Sequence, residues 1–100
     1  MVISELEKIL VDAAYSGSLA DEAQYRANIA ISYLRNHNVP TSEAKEAIDL
    51  LVKQFIEQSD LYSKLIPPNA SVYDDVAYSR VDAALLALDS AKIVRFYCYS

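Results

Sequence analysis

Apolar residues recur along this chain at intervals of three, four and seven, the repeat of helices that bury one stripe. The clearest stretch runs from Ser42 to Ile66 and stops at Pro67-Pro68. Within it Ala44, Ile48, Leu51, Phe55 and Tyr62 share one face, with Glu43, Lys45, Glu46, Asp49, Lys53 and Glu57 elsewhere. Val52 and Ile56 widen the stripe, which predicts a helix that touches more than one neighbour and forms the centre of a bundle. Upstream, Ser4 and Glu7 have capping-box spacing, so a first helix is expected to begin at Ser4. Its face is Leu6, Ile9, Leu10, Ala13 and Ala14, and Ser16-Gly17 is a natural stop. Ser18 and Asp21 repeat the capping spacing and open a second helix to about Arg35. Its inner face carries Ala20, Ala23, Ala27, Ala30 or Ile31, and Leu34, with Tyr25, Ile29 and Tyr33 on its shoulder. The small alanines predict a close helix pair. Asn36-His37-Asn38-Val39-Pro40 breaks this helix, and Thr41 or Ser42 is the expected cap of the third.

Asn69 or Ser71 can cap a fourth helix, whose stripe is Val72 or Tyr73, Val76, Ala77, Val81, Ala84, Leu85 and Leu88. Asp75, Arg80, Asp82 and Asp89 are left for water. The last ten residues change character: Ile93, Val94, Phe96, Tyr97 and Tyr99 are β-branched or aromatic, and an extended segment is expected there. The predicted fold is all-α, an antiparallel up-and-down four-helix bundle over residues 1–90. An aromatic tail, 91–100, packs on it or projects from it. A free strand of this kind invites pairing, so burial of one face and exposure of the other is a consistent outcome.

Composition narrows the function. The chain has 100 residues, 53% of them apolar, with one Gly, which suits a single helical domain. Nine basic and fourteen acidic residues give a net charge of −5, which opposes attraction to nucleic acid or anionic lipid. No run of roughly 18 apolar residues marks a membrane span, and no signal segment is visible at the start. Cys98, the sole cysteine, rules out an internal disulfide, points to a reducing cytoplasm and is expected to pack as a small apolar residue. A single glycine cannot build a phosphate-binding loop, and His37, expected as a solvated loop residue, has no partners for catalysis or metal binding. Asp74-Asp75 suits the positive start of a helix. No catalytic residue, metal or cofactor is therefore expected. Among eight tyrosines, Tyr97 and Tyr99 are the candidate contact residues, because tyrosine is common at recognition surfaces. The exposed face of the tail is also the one surface nominated for self-association, with the oligomeric state left open.

From the third helix onward the chain resembles the immunity proteins of pediocin-like (class IIa) bacteriocins. The resemblance is carried by the long amphipathic helix, Leu65-Ile66-Pro67 with Pro68, Tyr73 at the opening of the last helix, and the aromatic end Phe96-Tyr97-Cys98-Tyr99. It implies a four-helix bundle in the cytoplasm of a producer cell, protecting that cell without catalysis. The implied partner is the mannose phosphotransferase permease loaded with bacteriocin, met at the inner membrane face without stable insertion. The implied recognition elements are Pro67 as a hinge, Tyr73, and the tail with Ile93, Arg95, Phe96, Tyr97 and Tyr99. Two features depart from that pattern: the acidity of the chain and its alanine-rich second helix. The acidity favours a protein contact over a membrane contact. A different class also fits these features, a small acidic helical inhibitor or antitoxin of phage or toxin–antitoxin type acting by surface contact.

Overall fold

Every regular element described by the computed structural model is an α-helix. Backbone is described at residues 2–12, 19–66 and 75–100, and side chains at 2–11, 22–66 and 79–100. The helices are α1 (Val2–Asp12), α2 (Leu19–Asn36), α3 (Thr41–Leu65) and α4 (Asp75–Tyr99). The expected stop at Ser16-Gly17, the cap at Ser18 and the caps at Asn69 or Ser71 lie outside the described residues, as do Pro67 and Tyr73.

Side-chain contacts fix the directions. Gln54 donates to Glu7 at 3.0 Å, and Val2 and Ile3 lie beside Glu43 to Leu50, so α1 and α3 run the same way. The end of α2 meets the end of α4 at Arg35 and Tyr97, whereas Tyr99 at the end of α4 meets Asp49 near the start of α3. Direction therefore alternates along the chain, as the short connectors predict. The neighbours are less regular. α4 packs on all three other helices, most heavily on α3 and then α2, while the consecutive α2 and α3 touch least and face each other across the bundle. The centre is therefore α4 and not α3. Buried alanines at 27 and 30 on α2 and at 87 and 91 on α4 suit a close approach of these two helices, since small side chains let two axes come together.

One apolar cluster fills the space between the helices. Leu6 and Leu10 come from α1, Leu34 from α2, Ile48, Leu51 and Phe55 from α3, and Leu88 and Val94 from α4. The stripe predicted on α3 is buried from Ala44 to Phe55, but Ile56 lies outside it at 42% exposure. Leu85, expected inside, is 43% exposed, because the buried side of α4 follows Ala84, Ala87, Leu88, Ala91 and Val94 and turns it outward. Arg80, Asp82 and Asp89 are exposed as expected.

The helix ends differ from the expected caps in two places. α1 starts at Val2, so Ser4 lies within its first turn. α3 starts behind Pro40, whose extended backbone takes the cap position with no side-chain hydrogen bond, so Thr41 and Ser42 are already helical. Proline presets the backbone for a helix start and has no amide to satisfy. At the end of α2, Asn38 adopts φ 50, Val39 donates to the Leu34 carbonyl and Asn38 donates to that of Arg35. That pairing is a Schellman closure with asparagine in the left-handed position, sealed by contact of Val39 with the core. His37 is exposed there, its ring 4.3 Å from that of Tyr33. Ile66, extended at ψ 121, ends α3 in the conformation required before a proline.

The largest correction concerns residues 91–100. They are not an extended tail: α4 continues as helix through Tyr99. β-branched and aromatic residues disfavour helix by well under about 1 kcal/mol each. Ala87, Ala91, Val94 and Cys98, spaced by four, three and four, together form a buried helical stripe whose packing outweighs that preference.

A buried polar clamp joins α1 to α2. Arg26 donates to Glu22 at 2.7 Å and to the carbonyl of Leu10 at 2.8 Å. The guanidinium thus donates to a carbonyl in the last turn of α1, where the helix end favours a cation.

Candidate functional site

The last two turns of α4 carry five of the residues nominated from sequence, and their helical form sorts them by face. Val94 and Cys98 point into the core, and Ile93 and Tyr97 are partly buried against it. Phe96 points outward and is 79% exposed, with Tyr99 at 55%. Arg95 lies at the edge. Phe96 is the most exposed of the large apolar side chains among the described residues, and Tyr99 lies one turn on along the same helix.

Two ties hold this end in place. Arg35 of α2 donates through Nε to the Tyr97 hydroxyl at 3.1 Å, with its guanidinium carbon 5.3 Å from the Tyr97 ring centre. On the other side, the Tyr99 hydroxyl donates to Asp49 of α3, and the Lys45 ammonium lies 4.8 Å from the Tyr99 ring centre. Donation to the Asp49 carboxylate is the main cause that pushes the Tyr99 phenol above its usual range. Partial desolvation and the charge of Asp49 add to it, and Arg95 opposes it. Burial likewise raises the Cys98 thiol, with Asp49 adding and Lys45 opposing. A thiol held protonated and covered by packing is a poor nucleophile.

Among the described residues, concavities open around this end of the molecule. A cleft of about 450 Å³ opens between the end of α4 and the α2–α3 corner, with Arg35, Asn38, Thr41, Tyr97 and Cys98 on its walls. A depression of about 430 Å³ is bounded by Asp49, Lys92, Arg95, Phe96 and Tyr99. A third, about 310 Å³, lies between α1 and α3. Lys92 and Arg95 flank Phe96 in this depression, with the Asp49 carboxylate on its far wall beside Tyr99. Sequence reasoning missed Arg35, Lys45 and Asp49, which stand 50 to 62 residues from the tyrosines they hold. No local pattern encodes such a pairing. The spacing of Val94 and Cys98 against Ala91 was the available sign that the end is helical.

Among the described residues, no group of three or more His, Cys, Asp or Glu is placed to hold a metal ion, and no helix is long and apolar enough to cross a membrane. Comparison with family models, with characterised proteins and with solved structures finds no match to this chain.

Proposed function

We propose that this chain is a noncatalytic recognition protein of the bacteriocin-immunity kind, acting in the cytoplasm and reading its partner with the outer face of α4. The observation that carries the reading is Phe96, 79% exposed on a helix end tied to α2 and α3. A rigid aromatic anchor with basic neighbours binds at low entropic cost, because little is left to order on contact. The partner in this reading is the bacteriocin-loaded mannose phosphotransferase permease, approached from the inner membrane face. Specificity then belongs to a fixed helical surface of Lys92, Arg95, Phe96 and Tyr99, and not to a flexible tail.

Expression of the chain in bacteriocin-sensitive strains tests this directly. Protection against one or a few bacteriocins is expected, with loss of protection in Phe96→Ala at unchanged protein level. Protection against none across a broad panel overturns the reading. A nuclease gene or phage operon beside the coding sequence then favours the acidic inhibitor.

A further inference from the structure

The basic, aromatic strip on α4 has a counterpart on the same chain. Lys92, Arg95, Phe96 and Tyr99 fall at relative positions 0, 3, 4 and 7 of one helix. Glu43, Glu46, Ala47 and Leu50 fall at the same relative positions of another. The first strip carries two cations with an exposed Phe96 and Tyr99, and the second carries two anions with the small Ala47 and an exposed Leu50. The second strip is also concave: with Val2 and Ile3 of α1 it lines the groove of about 310 Å³. The two strips cannot meet within one molecule. Glu43, Glu46 and Leu50 lie on the flank of α3 that faces α1, whereas Lys45 and Asp49 of α3 lie beside the end of α4.

We infer that a second copy of this chain docks here, seating Phe96 in the α1–α3 groove with Lys92 and Arg95 towards the Glu43 and Glu46 edge. Opposite charges draw the two surfaces together, and the ring fills the groove. The contact is head to tail, so each copy keeps one free strip and one free groove, and growth continues with concentration. Two short strips bury far less than the roughly 1,200 Å² of a stable complex, so association is weak and reversible. It also covers Phe96 and closes that face to any other partner. The inference does not depend on the immunity reading, since both surfaces belong to this chain.

Sedimentation of the full chain tests it. At about 1 mM the weight-average mass is expected to exceed the 11.1 kDa monomer and to fall towards it on dilution to about 10 µM. Lys92→Glu with Arg95→Glu, and separately Glu43→Lys with Glu46→Lys, are each expected to weaken association at least tenfold, and an equimolar mixture of the two to restore it. Phe96→Ala is expected to weaken it without altering net charge. Lys8→Glu with Lys53→Glu, exposed and outside both strips, controls for added negative charge and is expected to associate like the parent. Helical circular dichroism checks that every variant folds. A monomer at about 1 mM, reversed variants that associate like the parent, or a mixture that stays monomeric would each overturn the inference.

Discussion

Single residues decide how the ends of this bundle are held. Arg26 and Glu22 form an ion pair whose side chains are only 12% and 7% exposed, and one fork of the guanidinium also serves the Leu10 carbonyl. Removing one partner leaves a buried charge without its counter-ion, so Glu22→Ala is expected to cost about 3 kcal/mol in urea unfolding. Replacing both, as Glu22→Leu with Arg26→Met, is expected to cost less than that single change, because no charge is stranded. Tyr99 gives a pH signature. Its phenol is raised above the ordinary value mainly by its bond to Asp49. The folded state holds the proton more tightly than the unfolded state, so the contribution is complete below the unfolded pKa and is lost as pH rises through the folded one. Tyr99→Phe is expected to flatten the alkaline fall in stability and to remove a late step from the ultraviolet titration of the tyrosines. Loss of a step in the ordinary tyrosine range, in place of a late one, would refute the Asp49 bond.

At the scale of elements, the closure of α2 and the length of α4 carry the consequences. Asn38 sits in the left-handed region, where a Cβ meets the following carbonyl and asparagine or glycine is tolerated best. Asn38→Gly is therefore expected to be close to neutral and Asn38→Ala to cost roughly 1 kcal/mol by chemical denaturation. Equal stability of the two would remove the Schellman closure from the account. The α2–α3 break was legible from Asn36 to Pro40, but its geometry was not, since several residues there could have turned the chain. α4 is the reverse case. Its last turns are rich in strand-forming residues, and only the burial of Ala91, Val94 and Cys98 by other helices makes them helical. Local propensity is worth tenths of a kcal/mol per residue, whereas one fully buried aliphatic side chain contributes roughly 1.5–3 kcal/mol.

For the whole molecule, one cluster joins all four helices, and α4 spans the contacts. Opening the end of α4 must therefore disturb α2 and α3 together, which makes Cys98 a reporter of the cooperative state. Its thiol, covered and raised in pKa by burial, is expected to react with a disulfide reagent at least about tenfold more slowly in the native protein than in urea. Native rates equal to unfolded rates would mean that the end of α4 opens independently of the rest.

The sequence by itself determined that the chain is helical, that Leu6 and Leu10 on α1 and the stripe from Ala44 to Phe55 on α3 face inward, where α2 stops, and that aromatic residues concentrate at the end. These follow from the repeat of one helix and from proline and asparagine chemistry, both local. Tertiary structure alone decided that α2 packs on α4 and lies across from α3, that the last turns are helix, and that Phe96 faces outward while Cys98 faces in. It also decided that Arg35, Lys45 and Asp49 hold the aromatic end. Such choices depend on which small side chains from distant segments permit close approach, and on pairings across tens of residues that no single helix can specify.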